Sequence, residues 1–244
     1  EGVTQKALLA RAREPYLGAN PLVDRELDIP ENAVPVRSDQ TGNIQYIDME
    51  KLDHLSRDKD LNIYVVALPG DFVSVTSILV YADKPVSNET RRELLGAFVI
   101  GHERNFEQDP RFGLCVLAEI AARALSAAVK DYGTGIDIIN RGVRLLTNYA
   151  QAERHAEVKH ERVWVPPLTV SNLFSDIFAP ILRDEGGITV IDIKLLKAFT
   201  ALYGLDNEQF KVAARKYSRL CYEHAVRTVV LDEDKEALKK LVID

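Results

Sequence analysis

The stretch Ile78-Leu79-Val80-Tyr81-Ala82-Asp83-Lys84-Pro85-Val86-Ser87-Asn88-Glu89-Thr90 separates two kinds of hydrophobic periodicity. Up to Asp83, apolar residues alternate or run in short blocks bounded by turn residues, the pattern of strands. After Pro85 they recur with a period of 3.6, the pattern of helices with one buried face. Ser87 stands where an N-cap belongs, because its hydroxyl can accept a hydrogen bond from an amide at the start of the following helix.

Outward toward the N-terminus, Thr41-Gly42-Asn43 reads as a turn and Ile44 to Ile47 as a strand, followed by a short helix from Met49 to Arg57. Leu61 to Leu68 is a further strand, Pro69-Gly70-Asp71 a tight turn, and Ile78 to Tyr81 the strand before the switch. Short strands with one inserted helix predict a small β barrel or sandwich over residues 36–84. Pro15, Pro21, Pro30 and Pro35 punctuate residues 1–35, which read as a lead-in or linker.

Outward toward the C-terminus, the pattern predicts a helix from Ser87 to about Asn105 and another from Phe112 to Lys130, with Leu114, Leu117, Ala121, Ala124 and Ala128 on one face. A third helix, capped by Thr134, turns Ile136, Ile139, Val143 and Leu146 inward and runs on toward His160. Val163-Trp164-Val165 is strand-like and stops at Pro166-Pro167; Trp164 is expected to pack against the helices. Ser171 opens a helix carrying Phe174, Ile177, Phe178 and Ile181, which Pro180 should kink and Gly186-Gly187 end. Val190 to Tyr203, closed by Gly204, is the next helix, and Asp206 and Gln209 have capping-box spacing for a long one to about Val230. The fold class is α+β: a small β barrel or sandwich unit, then a mostly helical bundle of about six helices over residues 85–244.

Composition narrows the function classes. With 46% hydrophobic and 28% charged residues, the 244-residue chain can bury a core and is neither disordered nor fibrous. Its net charge of -6, with both signs interspersed, gives no electrostatic footprint for nucleic acid. Cys115 and Cys221 sit in helical runs and read as small core residues, which excludes a disulfide framework. No stretch reaches the roughly 18 apolar residues of a membrane span. Glu1 is not a methionine, so the chain reads as an excised or processed piece, and what precedes Glu1 is open.

Polar residues with chemical potential concentrate between Gly101 and Asp137: Glu103, Arg104, Gln108, Asp109, Arg123, Asp131, Thr134 and Asp137 are the candidate ligand-binding set. Glu119, Arg123, Ser126 and Lys130 form one polar stripe, either a solvated face or the wall of a polar site between helices. A straight helix from Phe112 to Lys130 would be roughly 28 Å long, so the set should divide into a Glu103 to Asp109 end and an Asp131 to Asp137 end. Arg123 belongs nearer the second end. Helix-start amides at Asp131 to Thr134 suit an anion there, although an ordinary capped turn explains them equally well.

His54, His102, His155, His160 and His224 are scattered without metal-ligand spacing, so no metal site is expected. No Gly-x-Ser-x-Gly elbow occurs, and catalytic residues stay unassigned. Gly70-Asp71-Phe72-Val73 followed by Ile78-Leu79 resembles half of a biotinyl or lipoyl barrel. Thr76 replaces a glycine of that pattern and no Met-Lys tip follows, so no cofactor is expected.

The motif order carries a wider resemblance. Gly42 to Asp48 reads Gly-x-x-x-x-Ile-Asp, Pro69 to Val73 reads Pro-Gly-Asp-Phe-Val, and Gly101 to Gly113 reads Gly-x-Glu-Arg-Asn-x-x-Gln-Asp-Pro-x-Phe-Gly. Ala124 to Gly135 keeps Ser126, Asp131 and Thr134 of a fourth motif and loses its Pro-Gly, its Asn and its second Pro. The chain resembles the bacterial predicted membrane proteins grouped as domain of unknown function 2254. That resemblance implies N-terminal membrane helices as the partner of this portion, a full-length protein in the inner membrane, and a cytoplasmic side for these residues; it implies no activity. The favoured reading is a ligand-binding, regulatory or interaction module. The alternative is a hydrolase-like or transferase-like enzyme using the carboxylate and arginine cluster, and self-association into a homo-oligomer is a third.

Overall fold

A computed structural model describes residues 1–153 and 157–243; His155 lies outside the described residues. The chain divides into two compact units, one of Glu1–Leu8, Gly113–Ala152 and Thr169–Asp244, the other of Leu9–Phe112 and Glu153–Leu168. The β-containing unit is therefore larger than the expected 36–84, because strands before and after that range join its sheets.

Residues 1–35 are structured, which corrects the lead-in reading. Helix α1 (Gly2–Arg13) is followed by strand β1 (Ala19–Pro21) and the short helix α2 (Arg25–Asp28). Thr4, Ala7, Leu8 and Arg11 form a buried stripe at i, i+3, i+4 and i+7, and its two polar members hide the periodicity. Pro15 follows α1, and Pro21 ends a strand at the sheet edge, where the missing N–H interrupts no central ladder.

Strands β2 (Val34–Arg37) and β3 (Gly42–Ile47), helix α3 (Met49–Asp58), and strands β4 (Ile63–Val65), β5 (Phe72–Val73) and β6 (Ile78–Ala82) follow the expected pattern. Asp48 caps α3 by accepting the Lys51 amide. Helix α4 (Asn88–Leu95) is capped by Ser87, whose hydroxyl accepts the Thr90 amide at 3.1 Å. It stops at Gly96 instead of running to Asn105, and strand β7 (Phe98–Gly101) occupies the remainder, paired antiparallel with β3. The glycine ends the helix, and Val99 and Ile100 favour the extended state that β3 completes.

Helix α5 (Pro110–Leu125) ends five residues earlier than expected. Lys130, at φ +53, turns the chain into helix α6 (Tyr132–Gln151), and Ala128 is exposed between the two. The buried face of α6 is Gly135, Ile138, Ile139, Gly142, Leu145, Leu146 and Tyr149, rotated from the expected stripe so that Ile136 and Val143 are only half-buried.

Strand β8 (His160–Val165) completes the sheet order β1-β8-β4-β6-β2, with β1, β8 and β4 parallel and the rest antiparallel; β5-β3-β7 is a separate antiparallel sheet. Neither sheet closes into a barrel. Trp164 stacks on Tyr64 of β4 with ring centroids 4.9 Å apart, so it packs on the sheet and not against the helices. Val163 and Val165 point to the opposite face and join the core of that unit.

Helices α7 (Val170–Asp184), α8 (Thr189–Tyr203), α9 (Glu208–Thr228) and α10 (Asp232–Lys239) follow. Phe174 and Phe178 of α7, Phe199 of α8 and Phe210 of α9 are fully buried and make edge contacts at 5.1 to 5.8 Å. The caps shift by a residue or two from expectation: Thr169 serves α7 and Asn207 serves α9. The α+β class stands, and α10 is an addition whose run of Asp232, Glu233 and Asp234 suits a helix N-terminus but carries little apolar pattern.

Candidate functional site

Three of the sequence motifs meet around Asp109. This carboxylate is 1% exposed; its Oδ1 accepts the Phe112 amide at 3.1 Å, and Pro110 occupies the first helical position behind this Asp cap. Its Oδ2 accepts from Arg104 Nε at 2.7 Å, and the Arg104 guanidinium lies over the Phe112 ring at 5.1 Å. Gly70 closes the other side: at φ +94, a Cβ on it would strike the Asp109 carboxylate. The Pro69-Gly70-Asp71 turn and the Gly101 to Gly113 segment are thus fitted to each other.

Gln108 uses both ends of its amide on one residue of β3, accepting the Ile47 amide at 2.9 Å and donating to the Ile47 carbonyl at 3.2 Å. Glu103 contributes its carbonyl, which accepts from Gln45 at 2.7 Å, and its side chain is exposed. Buried polar groups need such partners; Asp109 finds them within its own motif, while Gln108 and the Glu103 carbonyl find theirs on β3. This end of the candidate set is a fastening between strands and turn, with the Asp109 carboxylate enclosed.

The other end belongs to the helical unit. Asp131, not Thr134, caps α6: its Oδ1 accepts the Thr134 amide at 3.1 Å, and its Oδ2 accepts the Thr134 hydroxyl at 2.6 Å. That hydroxyl, helped by the amide, holds the Asp131 carboxyl below its usual range. Arg123 is exposed, and among the described residues no carboxylate lies within ion-pair distance of its guanidinium. Together with Val116, Glu119, Ile120, Val129, Asp131 and Thr134 it lines an open recess of about 390 Å³. Asp137 stands apart and pairs with Arg141 at 2.7 Å, which also reaches Glu1. Of the eight candidates, four are brought together in one unit and three in the other, with Asp137 joining neither group.

A further cluster escaped sequence reasoning. Glu185 and Asp192 are both fully buried, and one ligand atom from each lies within 4.8 Å of the others and of one from His224. Glu185 caps the end of α7, and its Oε2 accepts the Ile188 amide at 2.7 Å across Gly186-Gly187. Its Oε1 lies 2.9 Å from His224 Nδ1. Cys221 Sγ lies 3.7 Å from Asp192 Oδ1. Burial, with the Glu185 charge adding to it, pushes the Asp192 carboxyl up to about 7. The same burial, with both carboxylates beside it, pushes the Cys221 thiol up and keeps it protonated. One signal was present in the sequence: Asp192 sits between Ile191 and Ile193 and is the one acidic residue of its helix.

Comparison with known proteins supplies the family. The chain is 27% identical over 158 residues to an uncharacterized protein of Mycobacterium bovis and, to the same extent, to one of Mycobacterium tuberculosis strain H37Rv. Each match covers 59% of this chain and 30% of the relative, so the chain corresponds to less than a third of those proteins' length. No solved structure matches. Among the described residues, no helix is long and apolar enough to cross a membrane. The family model described as "Predicted membrane protein (DUF2254)" matches residues 2–201, and the chain belongs to that family.

Proposed function

We propose that this chain is a non-spanning, cytoplasmic portion of a membrane protein and serves it as a ligand-binding regulatory module, not as an enzyme. The observation that carries this reading is the commitment of Asp109. The most enclosed acid of the motif region accepts both a helix-start amide and Arg104, so it caps and fastens and has no access to a substrate. A general acid or base has to come within hydrogen-bond reach of a reacting group.

The ligand's place is the recess at the start of α6. Arg123 offers a guanidinium without a carboxylate partner among the described residues, while Ile120 and Val129 leave apolar surface exposed beside it. That combination suits an acidic molecule with an apolar part. Membrane helices elsewhere in the full-length protein are the partner to which binding is reported, in keeping with the family's description.

A thermal-shift screen of the 244-residue chain against acidic amphiphiles tests the reading. The expected result is a saturable rise in Tm that Arg123→Ala removes; the guanidinium is exposed, so this variant keeps wild-type stability. Turnover of a stabilising compound, lost on substitution of a carboxylate, would replace the module with the enzyme.

A further inference from the structure

We propose that Glu185, Asp192 and His224 together hold one divalent transition-metal ion of the zinc class. This inference goes beyond the ligand recess and does not depend on it. It departs from the expectation, drawn from histidine spacing, that the chain has no metal site.

Geometry is the first support. Two carboxylate oxygens and one imidazole nitrogen lie within 4.8 Å of one another. In a tetrahedral site, zinc bonds of about 2.0–2.2 Å place ligand atoms roughly 3.3–3.6 Å apart, so a side-chain closure of about 1 Å completes the set. Three protein ligands with a position left for water is a common zinc arrangement, and the nitrogen donor with so few oxygens argues against calcium, which takes 6–8 oxygens.

The unpartnered atoms are the second, independent support. Glu185 Oε1, Asp192 Oδ2 and His224 Nδ1 are all buried and have no hydrogen-bond partner among the described residues. Glu185 Oε1 and His224 Nδ1 lie 2.9 Å apart, an ion pair when the imidazole is protonated, whereas Asp192 Oδ2 has no such neighbour among the described residues. Two fully buried carboxylates side by side are unfavourable unless one holds a proton or a cation lies between them, and a bound ion meets that need.

The second oxygen of each carboxylate is already engaged. The Ile188 amide holds Glu185 Oε2 at 2.7 Å, and the Cys221 thiol approaches Asp192 Oδ1 at 3.7 Å. One oxygen steadied and one open is the arrangement of a carboxylate prepared for monodentate ligation. His224 is one-third exposed at its side chain, which gives an ion a way in.

The test uses the whole 244-residue chain, stripped with a chelator, dialysed, and titrated with Zn2+ alone by calorimetry, with Co2+ as an absorbance probe. We expect one equivalent of Zn2+, a rise in Tm, and visible Co2+ bands of a site with mixed oxygen and nitrogen ligands. Asp192→Asn and His224→Gln should each weaken binding at least tenfold. Since His224 is partly exposed, His224→Gln keeps the test decisive if Asp192→Asn fails to fold. Absence of binding, equal affinity in wild type and His224→Gln, or a Ca2+ response matching that of Zn2+ would each overturn the proposal.

Discussion

Removing the Asp109 carboxylate should destabilise the β-containing unit by about 3–4 kcal/mol. Asp109 is 1% exposed and Arg104 26%, so Asp109→Ala removes the acceptor of Arg104 Nε from a largely enclosed place. Breaking a fully buried pair costs about 3–5 kcal/mol, and the partial exposure of Arg104 reduces that to about 2–3. Loss of the cap on the Phe112 amide adds about 1 kcal/mol. Asp109→Asn retains a cap acceptor and should lose only about 2–3 kcal/mol. Trp164 is the single tryptophan and lies in the same unit, so urea denaturation followed by its fluorescence reads this unit directly. Wild-type midpoints in both variants would refute the fastening role of the motif, and with it the argument that the acid is structural.

Other consequences can be measured in the same way. Gly70→Ala should cost more than about 2 kcal/mol, because a Cβ at φ +94 combines backbone strain with collision against Asp109; a wild-type midpoint contradicts the fit of turn to motif. Asp192 has its folded-state pKa raised from 3.8 to about 7, so the folded state binds the extra proton and metal-free stability falls as pH rises from about 4 to 7, by an amount on the order of 4 kcal/mol. Urea denaturation in chelator at pH 4 and pH 8 should show most of that fall in the wild type and a flatter dependence in Asp192→Asn; equal slopes refute the burial argument. In the full-length protein, a cysteine at Val230, which is 86% exposed, should resist a membrane-impermeant maleimide in intact cells and react after permeabilisation; labelling of intact cells contradicts the cytoplasmic placement.

What the sequence disclosed depended on whether the signal was local. Ser87, the strand Ile44 to Ile47 and the apolar stripe of Phe174, Ile177, Phe178 and Ile181 are written in neighbouring residues, and all appear in the structure as read. Strand β7 was hidden because its partner β3 lies some fifty residues earlier, and the apolar residues before it continue a helical period until Gly96 interrupts. Helix α1 was hidden by Thr4 and Arg11, polar residues in a buried stripe. The pairing of Arg104 with Asp109 was within reach of sequence reasoning, since five residues separate them across a turn. The meeting of Glu185, Asp192 and His224 was not, because it depends on how three separate segments pack and follows no fixed spacing.

A ligand-binding regulatory module should bind and report without transforming its ligand. The most direct test is calorimetric titration of the compound that stabilises the chain best into wild type and Arg123→Ala, with the compound recovered afterward and weighed by mass spectrometry. One binding event is expected at the recess, at least tenfold weaker in the variant, with the compound returned unchanged. A compound recovered as product, or bound equally well without Arg123, would contradict it.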